Sequence, residues 1–179
     1  MKTLSSDKIV SRLVYDAVFL AAALLLSALE TIIPLSSIPI PGFKPGLANI
    51  AVCAACFRYA PVDAWSVSLA RCLIIFLLFG NPVSLVFSLF GSVLSLVAMT
   101  VLRSGRISHH FSFIGISVLC AFFHNTGQVL ACVIMLGNHA VSYFPVLAAS
   151  SLVFGSVTGL ILNLLHSSVI YRNHDRLTS

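Results

Sequence analysis

The stretch VSLVFSLFGSVLSLVAMTVL, residues 83–102, decides the class of this protein because it contains no charged side chain. An α-helix needs about 20 predominantly apolar residues to cross the hydrocarbon core of a bilayer, and this run has that length. The whole chain of 179 residues has the same character, with 59% hydrophobic and only 8% charged residues. A soluble domain of this size cannot bury so much apolar surface. The sequence therefore predicts an all-α membrane protein.

Other apolar runs, separated by proline, glycine or basic residues, extend over most of the remaining chain. Gly80-Asn81-Pro82 and Gly137-Asn138-His139 have the composition of tight turns between such runs. The second run falls short of the length that crosses a bilayer straight. We expect about six transmembrane helices in one membrane domain, residues 10–170, between tails at 1–9 and 171–179. The predicted helices cover residues 10–33, 46–60, 62–79, 83–102, 111–136 and 142–170.

The distribution of basic residues predicts an orientation in the cell membrane. With the N-terminus in the cytoplasm, Lys44 is the only basic residue that falls in an external loop. Cytoplasmic loops of membrane proteins carry an excess of lysine and arginine, so this asymmetry favours cytoplasmic N- and C-termini. The residues assigned to the cytoplasmic side are Lys2, Lys8, Arg12, Arg58, Arg103, Arg106, Arg172 and Arg176.

A shaped connection, PGFKPGLANI at residues 41–50, separates the first two apolar runs. Proline fixes φ and removes a backbone donor, while glycine permits turns that other residues resist. Lys44 is the only lysine outside the N-terminal tail, and Asn49 opens the next apolar run. A rigid loop that holds a cation and an amide suits the rim of a ligand site. A plain interhelical turn is the alternative interpretation.

Several polar side chains are predicted at membrane depth, where ionisable groups are costly and usually face a partner or a cavity. Glu30 lies near the external end of its helix, and Arg71 and His124 lie near the middle of theirs. His124 and Gln128 are four residues apart and share one helical face. An alternative is a buried Glu30–Arg71 ion pair with interhelical amide hydrogen bonds that only hold the bundle together. We predict one external-side pocket formed by Glu30, Lys44, Asn49, Arg71, His124, Asn125 and Gln128.

Pairs of small residues four positions apart occur on three predicted helices, and such spacing lets helices approach closely. Packing within the bundle explains most of them. An interface with another protein is a second interpretation for the pair on the first helix, Ala17 and Ala21. The other pairs are Gly91 with Ser95 and Gly155 with Gly159.

Several function classes are disfavoured by the residues that the chain contains. The net charge of +5 comes from basic residues scattered at helix ends, which does not indicate nucleic-acid binding. No phosphate-binding GxxxxGK[ST], zinc-binding HExxH or acidic DDxxD pattern occurs, which disfavours ATP hydrolysis and magnesium-dependent prenyl transfer by this chain. We interpret the five cysteines as small packing residues. Arg12 and Asp16, four residues apart, are expected to pair.

The polar residues and glycines together resemble the Gx transporter family, also labelled heptaprenyl diphosphate synthase component I. The resemblance covers roughly residues 25 to 160, and Pro45 stands where family members often have leucine. The residues that carry it are Glu30, Ile33, Pro34, Pro41, Gly42, Lys44, Gly46, Leu47, Ala48, Asn49, Ile50, Arg71, Gly80, Gly91, Ser95, His124, Asn125, Gly127 and Gln128.

That family is grouped with the substrate-binding S components of energy-coupling factor (ECF) transporters. The resemblance implies a six-helix S-component fold that captures a substrate from outside. It also implies partnership with a transmembrane coupling subunit and two cytoplasmic ATPases, so that ATP is used by the partners. Ala17 and Ala21 would contact the coupling subunit. We expect a non-enzymatic importer subunit for a vitamin-like or cofactor-precursor molecule, with a membrane enzyme subunit of isoprenoid or quinone synthesis and a purely structural subunit as alternatives.

Overall fold

The described part of the chain folds entirely into helices, as the composition predicts. The computed structural model describes residues 6–32, 44, 46–58, 60–103 and 112–167, among which there is no strand. A short 3₁₀ helix, Asn138–Tyr143, leads into the last α-helix. The six α-helices are α1 Ser6–Ile32, α2 Asn49–Arg58, α3 Pro61–Phe79, α4 Pro82–Arg103, α5 Phe113–Leu136 and α6 Phe144–Ser167.

Five of these helices are long and apolar enough to cross a membrane, and α2 is not. The 10 residues of α2 extend only about 15 Å at the rise of an α-helix, about half of the hydrocarbon core. The predicted second transmembrane helix is therefore a short one, packed among the others. α5 continues without a break through the polar residues 124–128. The chain is thus a multi-pass membrane protein with five candidate spans in its described part.

Local sequence explains where α3 begins and ends. Pro61 occupies its first turn, where a missing N–H costs nothing, and the Asp63 carboxylate accepts the N–H of Ala60 at 2.9 Å. The helix ends at Gly80, which has a left-handed φ of 64° and donates its N–H to the Phe76 carbonyl. The predicted turn after this helix is confirmed.

α5 packs most extensively against α6 and α4 and forms the centre of the bundle. Glycine permits these contacts. A Cβ added at Gly155 would lie 2.6 Å from Cα of Val118, and one at Gly159 would lie 2.5 Å from Cα of Ile114. The Gly155–Gly159 pair therefore serves packing within the chain. Ala17 and Ala21 differ, because both are exposed on α1.

An ion pair connects the start of α1 with the start of α3. Arg12 Nη2 lies 2.6 Å from Oδ1 of Asp63, and it is the one ion pair within 4 Å among the described residues. The predicted pairing of Arg12 with Asp16 is wrong. Asp63 is almost fully buried, and leaving its carboxylate unpaired would cost free energy. The Arg12 guanidinium therefore pairs with this carboxylate on α3 and not within its own helix.

The C-terminal ends of α2 and α4 also meet at this side of the bundle, where Arg103 Nη1 contacts the Cys56 thiol at 3.7 Å. All five cysteines are buried and form no disulfide. Cys53, Cys56 and Cys120 belong to one apolar core cluster, and Cys132 belongs to a second one. Their predicted role as small packing residues fits these positions.

Candidate functional site

Polar side chains from four helices and the segment before α2 surround one cavity. It lies in the half of the bundle that contains the end of α1, opposite the Arg12–Asp63 ion pair. The space open to the centre of a water molecule is about 10 Å³, which is room for roughly one water. The cavity is lined by Ser27, Glu30, Lys44, Gly46, Arg71, Cys72, Ile75, Ser88 and His124.

Arg71 brings a guanidinium into the middle of the bundle, where only 4% of the residue is exposed. Its Nη2 donates to Ser92 Oγ on α4 at 2.7 Å, and its Nη1 makes a longer contact of 3.5 Å with Ser27 Oγ on α1. Its buried Nε has no hydrogen-bond partner among the residues that the structure describes. Leaving a buried donor unpaired costs free energy, so a ligand that accepts from Nε would gain from it.

Glu30 binds the segment that leads into α2. Its Oε1 accepts the backbone N–H of Leu47, and the residue is 7% exposed. The alternative of a Glu30–Arg71 ion pair is not realised, because no oxygen of Glu30 lies within 4 Å of the Arg71 nitrogens among the described atoms. Both groups instead face the same cavity.

Gln128 holds the backbone of Lys44 with both ends of its carboxamide. Nε2 donates to the Lys44 carbonyl at 2.9 Å, and Oε1 accepts the Lys44 N–H at 3.4 Å. A glutamine side chain can do this because it is donor and acceptor at once. The clamp leaves the Lys44 side chain at the cavity. Burial lowers the pKa of Lys44, and the nearby Glu30 carboxylate opposes this shift.

The His124 imidazole lies between two glycines. A Cβ added at Gly91 would lie 2.7 Å from its Cε1, and one at Gly46 would lie 3.4 Å from its Cδ2. Gly46 also has a φ of 85°, which favours glycine. His124 is 2% exposed, and its buried Nδ1 has no hydrogen-bond partner in the described part of the chain. Any larger residue at Gly91 would displace the ring from the cavity.

The two asparagines of the predicted site lie elsewhere. Asn49 begins α2 beside Gly46 and is buried, but it does not line the cavity. Asn125 faces α6, where its Nδ2 donates to the Leu147 carbonyl at 2.8 Å and to the Ser151 hydroxyl at 3.1 Å. Asn125 is not among the residues that line this cavity, because one residue step turns it about 100° around α5 from His124.

The structure therefore brings four of the predicted residues to the cavity, Glu30, Lys44, Arg71 and His124, with Gln128 behind Lys44. Sequence reasoning missed the hydroxyl groups that complete it. Ser27 precedes Glu30 by about one helical turn, and Ser88 and Ser92 are four residues apart on α4. These helical spacings are the sequence signal from which the hydroxyl groups could have been predicted. With two cations and one carboxylate around it, the cavity suits a ligand with one negative charge.

The family profile described as heptaprenyl diphosphate synthase component I matches residues 19–165. The chain belongs to this family. The predicted resemblance to the heptaprenyl diphosphate synthase component I, or Gx transporter, family is confirmed. All residues that line the cavity fall within the matched region. Comparison with curated proteins and with solved structures gives no significant match.

Proposed function

We propose that this chain is the substrate-binding S component of an ECF-type importer and binds a small anionic, vitamin-like or cofactor-precursor molecule. One observation carries the proposal. Among the described residues, the buried Arg71 Nε and His124 Nδ1 both lack hydrogen-bond partners, and their side chains face one cavity in one half of a membrane-spanning bundle. Unsatisfied buried polar atoms at a shared cavity are typical of a ligand site. The chain itself is not an enzyme in this proposal.

ATP hydrolysis is assigned to partner subunits, namely two cytoplasmic ATPases and a transmembrane coupling subunit. The exposed face of α1 supports a contact with such a subunit, because it includes Ala17 and Ala21 together with exposed Val14, Val18 and Leu25. Small residues between large apolar ones permit a close helix–helix approach in a membrane. The N- and C-termini are cytoplasmic in this proposal, and the cavity opens to the outside of the cell membrane.

The cavity must widen to admit an organic ligand, since it now has room for about one water. Lys44 and Gly46 line it, and their neighbourhood is held by Gln128 at the Lys44 backbone and by Glu30 at the Leu47 N–H. Entry of a ligand between Lys44 and Arg71 would break one or both of these contacts. The negative charge of the ligand would then compensate the positive charges of Lys44 and Arg71.

The second candidate function is a membrane subunit of isoprenoid or quinone synthesis, and the family description favours it. Magnesium-dependent chemistry on a diphosphate needs clustered carboxylates. Asp63 pairs with Arg12 at one end of the bundle, while Glu30 binds backbone at the other end. Among the described residues, no three His, Cys, Asp or Glu side chains are grouped to hold a metal. We therefore rank this function below transport.

Mass spectrometry of small molecules that co-purify with the protein tests the proposed function. We expect a small anionic compound with the wild type, and its loss from the Arg71→Ala and His124→Ala variants. Leu77→Ala is the matched control, because this α3 residue is 78% exposed and does not line the cavity. Equal retention of the same compounds by all four proteins would show that the site is assigned wrongly.

Affinity for an anion is expected to fall at alkaline pH. Burial lowers the pKa of Lys44 from 10.5, with Glu30 opposing and Arg71 adding to the shift. The charged amine that attracts the anion is therefore lost as pH rises through this lowered value. Lys44→Arg keeps its charge at those pH values and should bind with little pH dependence. Titrations of butanoate from neutral to alkaline pH compare the two proteins, and parallel curves would contradict the role of Lys44.

A further inference from the structure

A second cavity adjoins the first and has a different chemistry. The two share Cys72, Ile75 and Ser88 as a common wall, so a ligand that displaces these side chains slightly can occupy both. The second cavity also has room for about one water. Its lining comes from α1, α3, α4 and the turn between α3 and α4, and consists of Thr31, Cys72, Ile75, Phe76, Phe79, Asn81, Ser84, Leu85 and Ser88.

The two cavities divide charge and apolar surface between them. Glu30, Lys44 and Arg71 all line the first cavity, whereas none of the described residues that line the second is charged. Aromatic rings of Phe76 and Phe79 contribute to the second one instead. A ligand that spans both would therefore place a charged group at one end and an apolar group at the other.

The second cavity lies where two helices of the bundle, α1 and α4, pack only weakly against each other. α3 packs against both α1 and α4, whereas α1 and α4 make no extensive contact with each other among the described residues. The cavity occupies the region between them at the end of α3, and the neighbouring Leu78 is 69% exposed. An apolar chain here would need to separate only weakly associated helices.

We propose that the ligand is an amphiphile with one anionic head group, carboxylate or phosphate, and an apolar chain or ring. This inference rests on the proposed function of the first cavity. The head group accepts from Arg71 Nε in the first cavity, and the apolar part passes Ser88 and lies against Phe76 and Phe79. The ligand is thus held by charge at one end and by burial of apolar surface at the other.

The test measures how affinity depends on chain length. The protein in lipid nanodiscs is titrated calorimetrically with acetate, butanoate, hexanoate and octanoate, and empty nanodiscs correct for partition into lipid. Burial of one CH₂ group predicts a gain of about fourfold in affinity per added carbon while the second cavity fills. Comparison of the affinities of monohexyl phosphate and hexanoate shows whether the site prefers a phosphate or a carboxylate head group. 1-Hexanol, which has the chain without the charge, is expected to bind at least tenfold more weakly than hexanoate.

Two variants separate the apolar part of the site from its head-group part. Ser84→Leu fills the second cavity only, and Phe79→Ala removes apolar surface from it, so both should reduce the gain in affinity with chain length. Leu77→Phe adds a ring on the exposed face of α3 and should leave the gain intact. Ser84→Leu enlarges a side chain and Phe79→Ala shortens one, so if one variant fails to fold the other still provides the test.

Each outcome has a defined meaning. Anions that bind equally well at every chain length would overturn the amphiphile inference and leave the proposed anion site standing. Binding of hexanol as tight as that of hexanoate would also overturn it. If none of the carboxylates nor the alkyl phosphate binds, the proposed function fails together with the inference.

Discussion

Replacing Arg71 with alanine is expected to weaken hexanoate binding by about 10- to 150-fold. Hydrogen bonds to charged groups contribute about 1.5–3 kcal/mol, and this corresponds to that range of affinity. Arg71 is a buried cation whose Nε has no partner among the described residues, so this N–H is available to the anion. Calorimetric titration in nanodiscs measures the loss directly.

The matched control is Arg103→Gln, which removes the same charge at the opposite end of the bundle, where Arg103 contacts Cys56. Its effect on hexanoate affinity should stay below about threefold, because charge effects over that distance are weak compared with a direct hydrogen bond. Arg71→Lys keeps the charge but loses the planar donor set, and an intermediate affinity is expected. An Arg71→Ala protein that binds hexanoate as tightly as the wild type would refute the site.

The second large effect concerns stability. Alanine at Gly155 or Gly159 is expected to destabilise the protein by about 1–3 kcal/mol each, as overpacked substitutions do. The added Cβ atoms would approach Cα of Val118 and Ile114 to 2.6 and 2.5 Å, distances that backbone atoms can relieve only if α5 and α6 move apart. Unfolding of the purified protein, followed by circular dichroism as denaturing detergent is added, measures the loss.

Ala149→Val is the control for this measurement, because it adds bulk to an exposed position of α6. We expect its stability to remain within about 0.5 kcal/mol of the wild type. Separation of the helices should also disturb Asn125, whose amide bridges α5 to Leu147 and Ser151. If the Gly155→Ala/Gly159→Ala double variant is as stable as the wild type, α5 and α6 do not pack as closely as described here.

The sequence alone was sufficient for much of this description. Apolar length and the scarcity of charge predict the helices, and glycine and proline predict where α3 and α5 end. The cost of burying ionisable groups singles out Glu30, Arg71 and His124 without coordinates. These inferences depend on local composition and on solvent, which are properties of each segment by itself.

The amino-acid sequence is enough to identify a helical membrane protein and the polar residues whose burial needs a reason. The partner that each of these residues meets depends on the tertiary structure. Asn125 faces α6, Arg12 reaches Asp63, and Gln128 holds the Lys44 backbone. Helical periodicity predicts which residues share one face of a helix. Which other helix packs against that face depends on the rotation of each helix about its axis and on the distances between helices. Close contacts at glycines such as Gly91 and Gly155 set these distances, and they join segments far apart in the chain.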